Sequence, residues 1–208
     1  MDFVEKPKWS YKIRKEEFGQ EFLCALYAVA ESKIEDFSLA KQKPVISDKA
    51  EHTHPATPGN KLVAIAVSTG GPKSLQHVIP LLPKGLNAPV VVVQHMPVGF
   101  TLSLANRMDA ISNLPVSEAK EGELLQNGRV YIAMGGVHLK LLKTNEGTVV
   151  HYTDEVPREG VKPCANYMYE SLSDSDYDEI ICVVMTGMGA DGMEGIANLK
   201  KKKKIHCI

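Results

Sequence analysis

The chain has 208 residues, 44% of them apolar and 24% charged, and its formal net charge is −1 at pH 7. These values are typical of a soluble globular protein that is long enough to bury a core. A net charge near zero excludes a global electrostatic attraction to nucleic acid or to an anionic membrane. No apolar run approaches the roughly 18 residues of a membrane span, and the polar N-terminus lacks the apolar core of a signal peptide. We therefore expect a cytoplasmic protein with no nucleic-acid partner and no membrane insertion.

The four cysteines, Cys24, Cys164, Cys182 and Cys207, are scattered and form no C-x-x-C pair. Cys182 and Cys207 lie in apolar, strand-like runs. We expect reduced, buried thiols and no disulfide framework.

Residues 15–34 carry a helical pattern, with apolar side chains at steps of three and four residues beginning at Phe18. This spacing predicts an amphipathic helix with a broad apolar face. Residues 37–60 have the polar, proline-containing composition of a linker. The isolated pair of His52 and His54 in that linker is expected to be solvated, because zinc needs three or four ligands. We therefore predict no metal site.

From Leu62 onward, apolar strand patterns alternate with helical patterns. In chain order they predict a strand at 62–67, a helix at 72–82, a strand at 88–94, a helix through 104–108, an antiparallel, hairpin-like insertion over 128–143 and 147–153, a helix at 165–174, a strand at 179–186, a helix starting near 192, and a strand at 204–208. Continuous apolar strands with helical crossovers predict an α/β fold with a doubly wound, mostly parallel sheet. The expected additions to this sheet are an antiparallel hairpin insertion and the N-terminal helix and linker.

Three of the predicted strands end in residues that carry chemistry. Ser68 follows the first strand, His95 follows the second, and Asp191 follows the strand at 179–186. The carboxyl ends of parallel strands meet at one edge of a sheet, where ligands bind. A hydroxyl, an imidazole and a carboxylate are the nucleophile, the base and the orienting acid of a serine hydrolase. We therefore predict a serine esterase or amidase with Ser68, His95 and Asp191 as its catalytic residues.

Each of these three residues also has a purely structural interpretation. Ser68 and Asp191 are suitable helix caps, and His95 fits a hydrogen-bonded loop histidine. The catalytic hypothesis is favoured because all three residues are predicted to lie at the same edge of the sheet. Gly70 and Gly71 strengthen it, because their backbone N–H groups are expected to lie open at a helix N-terminus, where a developing oxyanion is stabilised.

The turn after the 179–186 strand contains Gly187, Gly189 and Gly192 in G-x-G-x-x-G spacing, which is also typical of dinucleotide-binding turns. Such a fold needs an acidic residue about 20 positions further on, and no Asp or Glu follows Glu194. Asp191 would also place a negative charge against a pyrophosphate. We therefore predict that the turn binds no dinucleotide.

Four stretches together resemble the chemotaxis protein-glutamate methylesterase (CheB) family. They are STGGP (68–72), QHMPVGFT (94–101), EGELLQNGRVYIAMGGVHLKL (121–141) and MTGMGADGMEG (185–195). The resemblance implies a doubly wound α/β catalytic domain in which Ser68 is the nucleophile, His95 is the base and Asp191 is the partner of the base. It implies no metal and no organic cofactor.

The same resemblance implies a reaction and a partner. The reaction is the hydrolysis of γ-methyl glutamyl esters on the cytoplasmic helices of methyl-accepting chemoreceptors, with release of methanol, together with the deamidation of certain receptor glutamines. Thr69 and Met188 match positions that line the family's substrate site, and Gly70 is expected to contribute to the substrate and oxyanion environment. A backbone N–H near Met188 is a candidate oxyanion donor.

The segment MDFVEKP at the N-terminus resembles the end of the last strand of a response-regulator receiver domain. This resemblance implies that residues 1–36 are a remnant of a receiver domain, normally supplied in cis, that 37–60 are the linker, and that 61–208 are the catalytic domain. We expect the receiver remnant to lack the phosphoacceptor half, and we expect the catalytic domain to be cut short at Ile208, with a sheet edge left uncovered. An unrelated helix that packs on the hydrolase is the alternative.

Some residues depart from the family pattern. Ala66 and Val67 replace the usual Gly-Ala before the serine. In the stretch VKPCANY (161–167), which replaces R-P-S-V-D-x, Lys162 lacks the bidentate fork of arginine and Asn166 lacks a carboxylate. We expect these changes to affect the positioning of substrate and not the three catalytic residues.

Two rival hypotheses remain. A catalytically impaired or truncated module of the same fold would bind receptors without turnover. A general α/β serine esterase would have the chain order Ser…Asp/Glu…His, in which His206 is the base and Asp191 the acid. We expect His95 and not His206 to be the base.

Overall fold

The computed structural model describes residues 60–208, so the predictions made for residues 1–59 lie outside the described residues. The described elements are β1 (Lys61–Val67), α1 (Gly71–Val78), a 3₁₀ turn (Ile79–Leu81), β2 (Val90–Gln94), α2 (Phe100–Asp109), β3 (Val116–Glu118), β4 (Val130–Ile132), β5 (His138–Thr144), β6 (Gly147–Thr153), α3 (Ala165–Ser171), a 3₁₀ turn (Leu172–Asp174), β7 (Glu179–Val184), α4 (Met193–Lys200) and β8 (Lys204–Cys207).

The strands β1 and β2 form the middle of a six-stranded parallel sheet, whose order is β3-β4-β2-β1-β7-β8. Ala66 of β1 is in register with Val93 of β2 and with Val184 of β7. The carboxyl ends of these three strands therefore meet at one edge of the sheet. The predicted fold class, a doubly wound and mostly parallel sheet with an antiparallel hairpin, is confirmed.

The side chains of β1 alternate into two apolar cores, one on each face of the sheet. Ala64 and Ala66 contribute to the core that α3, α4 and the hairpin complete, whereas Ile65 and Val67 contribute to the core under α1 and α2. Burial on both faces explains why β1 and β2 are continuous apolar runs and not alternating ones.

The predicted hairpin is formed by β5 and β6, but its predicted beginning was wrong. Residues Val130–Ile132 form β4 and pair in parallel with β2 and β3. Gly135 and Gly136 interrupt the apparent strand pattern, because a Cβ at Gly135 would lie 2.4 Å from the Pro97 carbonyl oxygen and Gly136 has a φ of +81°. The sequence did not predict β3, since three residues are too few to show a periodicity.

The helices α3 and α4 begin where the sequence predicts. The helix α1 ends earlier than predicted, at Val78, and the chain continues as a 3₁₀ turn that contains Pro80, which has no N–H to donate. No helix among residues 60–208 is long and apolar enough to cross a membrane.

The cysteines of the described segment are free thiols, and Cys164 and Cys182 are buried. The prediction that Cys207 is buried was wrong, because β8 is the edge strand of the sheet and Cys207 is exposed there. Within residues 60–208, no group of three or more His, Cys, Asp or Glu side chains could hold a metal ion.

Candidate active site

The site lies at the carboxyl edge of the sheet, where hydrogen bonds of the strand type continue into the loops. The Ser68 N–H donates to the Thr186 carbonyl oxygen over 2.9 Å, and the His95 N–H donates to the Val67 carbonyl oxygen over 3.1 Å. These bonds fix the backbone of the first residue after β1 and of the first residue after β2. The positions of the Ser68 and His95 side chains therefore follow from the register of the sheet.

The three residues that the sequence predicts to be catalytic lie in contact. His95 Nδ1 is 3.0 Å from Ser68 Oγ, and His95 Nε2 is 2.7 Å from Asp191 Oδ2. The Asp191 side chain is 4% exposed and the His95 side chain is 15% exposed. Because a carboxylate can only accept, the ring proton of neutral His95 lies on Nε2, and Nδ1 is the atom that can take the hydroxyl proton of Ser68.

Asp191 is held by four donors, two on each carboxylate oxygen. Oδ1 accepts from the Cys164 thiol and from the Asn166 N–H, both over 2.9 Å. Oδ2 accepts from His95 and from the Ala165 N–H, the latter over 2.6 Å. Burial alone would raise the pKa of Asp191, but hydrogen bonds from His95, Cys164 and the two backbone N–H groups outweigh it and lower the pKa to about 2. The carboxylate is therefore charged at neutral pH.

The contacts between Asp191 and residues 164–166 were not predicted. Asp191 is 25 residues or more from its donors along the chain, so no local spacing links them. The contacts of the Asn166 side chain were not predicted either, and one of them, the bond that Nδ2 donates, requires an amide and not a carboxylate. Asn166 Oδ1 accepts from the Gly192 and Gly195 N–H groups, and Asn166 Nδ2 donates to Glu159 over 2.8 Å.

The structural interpretation of Ser68 and Asp191 as helix caps does not hold. The N-cap residues of α1 and α4 are Gly70 and Gly192, and no side chain caps either helix at that residue. Ser68 and Asp191 therefore do not cap the helices that follow them. The rival base His206 bonds Glu179 and not Asp191, so the geometry does not support a general esterase with His206 as its base.

Gln94, the last residue of β2, ties the backbones of the nucleophile and the base together. Its Nε2 donates to the carbonyl oxygens of Ser68, over 3.0 Å, and of His95, over 3.2 Å. The Ser68 carbonyl also accepts from the Gly71 N–H over 2.8 Å. The prediction that the Gly71 N–H lies open toward an oxyanion was therefore wrong, because that group closes the turn around Ser68.

The glycine-rich turn after β7 packs directly against Ser68. A Cβ at Gly187 would lie 2.7 Å from the Cβ of Ser68, so the close approach of the two backbones requires glycine there. In the described part of the chain, the N–H groups of Gly187, Met188 and Gly189 have no hydrogen-bond acceptor. They are candidate oxyanion donors, and the oxyanion role of a backbone N–H near Met188 stays a prediction.

An open cleft of about 370 Å³ lies beside these groups. It is lined by the three predicted catalytic residues and by the ends of β1 and β7 with the turn from Thr186 to Gly189. Met188 is 81% exposed at its rim. Thr69 and Gly70 are not among the residues that line it, and the Thr69 carbonyl instead accepts from the Thr186 hydroxyl over 3.0 Å.

A doubly wound α/β sheet with a Ser–His–Asp arrangement at its carboxyl edge has the geometry that serine hydrolases use. Residues 63–208 match the family model described as CheB methylesterase. The chain therefore belongs to the CheB methylesterase family.

The names of similar proteins agree with this family assignment. A protein-glutamate methylesterase/protein-glutamine glutaminase of Geobacillus kaustophilus is 41% identical over 201 residues, which are 97% of this chain and 57% of the relative. The protein of the same name from Bacillus subtilis is 40% identical over 206 residues, or 95% of this chain and 57% of the relative. The chain thus spans a little over half the length of these curated relatives.

The fold also matches a solved structure. The crystal structure of the Thermotoga maritima CheB methylesterase catalytic domain has a TM-score of 0.67 and 41% sequence identity, over 70% of this chain and 78% of that chain.

Proposed function

We propose that residues 61–208 act as a serine hydrolase that removes methyl groups from γ-glutamyl methyl esters of chemoreceptors and deamidates receptor glutamines. The observation that carries this proposal is the continuous hydrogen-bonded series from Ser68 Oγ through His95 to a charged, buried Asp191. The cleft beside it is open, which suits an ester on a side chain of a large helical substrate. The names of the relatives supply the identity of the ester and of the amide.

In the first step, His95 Nδ1 takes the proton of the Ser68 hydroxyl while Oγ attacks the ester carbonyl carbon. The carbonyl oxygen becomes an oxyanion, and we expect the N–H groups between Gly187 and Gly189, which line the cleft and have no acceptor among residues 60–208, to donate to it. The imidazolium then gives its proton to the leaving oxygen, and methanol departs. Asp191 stabilises the imidazolium through the bond to Nε2 and keeps the ring in one orientation.

In the second step, water attacks the acyl-serine ester. His95 Nδ1 takes one proton of that water and returns it to Ser68 Oγ as the acyl bond breaks. The products are a glutamate carboxylate on the substrate and the free serine. For a glutamine substrate the sequence is the same, except that the protonated leaving group of the first step is ammonia.

We also propose a place for this activity in the cell and in the chain. The substrates are cytoplasmic helices of chemoreceptors, so the enzyme works in the cytoplasm. Residues 1–36 belong to a receiver domain, and 37–60 form the linker to the catalytic domain. The alignments with the relatives support this arrangement because they cover up to 97% of the chain and so extend well before residue 63, where the family match begins.

The test is the release of methanol from membranes that carry methylated receptors. Ser68→Ala is expected to lower the rate by at least about a thousandfold, because the hydroxyl is the attacking group. Ser103→Ala is the matched control, since Ser103 is an exposed serine on α2 away from the cleft, and it should keep the wild-type rate. A Ser68→Ala variant with the wild-type rate would show that the nucleophile is wrongly assigned. A wild-type chain that binds receptors and releases no methanol would favour the binding module.

A further inference from the structure

Cys164 precedes α3, and its thiol lies against the carboxylate of Asp191. The distance from Sγ to Asp191 Oδ1 is 2.9 Å, and Cys164 is 0% exposed. Burial, together with the neighbouring carboxylate, raises the pKa of Cys164 to about 12. The thiol therefore keeps its proton at neutral pH, and it donates to Asp191.

This thiol differs from the other donors to Asp191. The Ala165 and Asn166 donors are backbone N–H groups, which every residue except proline supplies at those positions. The Cys164 donor depends on the side chain, and its loss leaves Oδ1 with a single donor. The titratable groups that face Asp191 are His95 from the loop after β2, and Cys164 and Tyr169 from the α3 segment.

The backbone of Cys164 is fixed from a different element, which makes the thiol a rigid donor. The Cys164 N–H donates over 3.1 Å to Nδ1 of His138, the first residue of β5. His138 is 0% exposed, and its ring centroid lies 4.5 Å from that of Tyr167. Burial lowers the pKa of His138, which keeps the ring neutral and Nδ1 able to accept. Cys164 is thus held in place without the help of Asp191.

We propose that Cys164 is a positioning residue, which acts on His95 through its hydrogen bond to Asp191. The proposal rests on the proposed function, because it assigns Cys164 a role in the same Ser68–His95–Asp191 series. The thiol fixes the rotation of the carboxylate, so that Oδ2 faces His95 Nε2. It also withdraws negative charge from the carboxylate and so weakens the stabilisation of the imidazolium form of His95.

The kinetic test compares Cys164→Ala, which removes the donor, with Cys164→Ser, which keeps one. Cys164→Ala is expected to lower kcat about five- to tenfold, because the Asp191 carboxylate is then free to rotate and no longer holds His95 in one orientation. KM should stay nearly unchanged, because the contact does not involve substrate. The acid limb of the kcat/KM profile should move to higher pH by about half a pH unit, since an Asp191 with fewer donors stabilises the imidazolium more. Cys164→Ser should restore kcat and should return the acid limb to the wild-type pH or below it.

The matched control is Cys182→Ala, which removes another buried thiol, from β7, without touching Asp191. This variant is expected to lose stability, because the substitution leaves a cavity. Its kcat and the acid limb of its kcat/KM profile should stay as in the wild-type chain. Two results would overturn the proposal. One is a Cys164→Ala variant with the wild-type kcat and acid limb. The other is an equal loss of kcat in the Ala and Ser variants with the acid limb unmoved, which would assign the loss to packing.

A second measurement needs no substrate and separates this proposal from the proposed function. In the ¹⁵N-labelled full chain, the ring resonances of His95 are followed with pH by NMR, with a His95→Asn variant to assign them. Cys164→Ala should move the change in these resonances to higher pH than in the wild-type chain, whether or not the chain hydrolyses an ester. An unchanged titration would overturn the role of Cys164, whereas a shifted titration in a chain without esterase activity would leave that role intact and remove the proposed function.

Discussion

Asp191 binds the first turn of α3, and Asn166 of α3 binds the first turn of α4, the helix that follows Asp191. The Asp191 carboxylate, just before α4, accepts from the Asn166 N–H at the start of α3 over 2.9 Å. Asn166 Oδ1 in turn accepts from the Gly192 N–H over 3.1 Å and from the Gly195 N–H over 2.6 Å at the start of α4. The first N–H groups of a helix have no partner within it, so this exchange satisfies buried donors of both helices. It also fixes Asp191 independently of His95.

The exchange predicts a large effect of Asn166→Ala on stability. The variant leaves the Gly192 and Gly195 N–H groups buried without an acceptor, and we expect a loss of about 2–3 kcal/mol in the free energy of unfolding. Urea denaturation measures this loss. Asn127→Ala is the matched control, because Asn127 is exposed and its side chain, among residues 60–208, bonds only the exposed Asn87 side chain. We expect a change of less than about 0.5 kcal/mol. Equal losses in the two variants would contradict the reciprocal capping.

Gly187→Ala should damage activity and not the fold. An added Cβ would lie 2.7 Å from the Cβ of Ser68, so the nucleophile or the turn must move. A displacement of this kind lowers kcat/KM by about a hundredfold when it misplaces a reacting group. Gly85→Ala serves as the control, since no atom lies within 4 Å of a Cβ added there. Ester hydrolysis by Gly187→Ala at the rate of Gly85→Ala would show that the turn does not position Ser68.

Because the pKa of Asp191 is low in the folded chain, the free energy of unfolding is expected to decrease as the pH falls. The pKa of Asp191 is about 2 in the folded chain, below its ordinary value of 3.8, mainly because donors on both oxygens outweigh the effect of burial. The stabilisation is therefore complete only above about pH 5, and it is lost progressively as the pH falls toward 2. At neutral pH we expect the free energy of unfolding of the wild-type chain to exceed that of Asp191→Asn by about 2 kcal/mol, as a result of this lowered pKa. The difference should narrow when urea denaturation is repeated between pH 5 and pH 3.5, and a constant difference would contradict the assignment.

The sequence predicted those parts of the molecule that are coded by runs of neighbouring residues. The strands β1, β2 and β7 are long enough to show continuous apolar runs, and the residue types at their ends pointed to Ser68, His95 and Asp191. The strands β3 and β4 have three residues each, which is too short for a pattern, and β4 was assigned to the wrong sheet for that reason.

Features that depend on distant contacts could not be predicted in this way. The donors of Asp191 come from the start of α3, and the exposure of Cys207 depends on the position of β8 at the edge of the sheet. The bond from the Gly71 N–H to the Ser68 carbonyl belongs to a tight turn, whose closure the glycines alone did not indicate.

Reaction of the folded chain with a fluorophosphonate probe tests the central claim most directly. An activated serine attacks the phosphorus, fluoride leaves, and the enzyme gains a stable adduct that intact mass and peptide mapping locate. We predict one adduct per chain, on Ser68, which is absent in Ser68→Ala, strongly slowed in His95→Ala and unchanged in Ser103→Ala. A folded chain that forms no adduct, or forms it on another residue, would contradict the account.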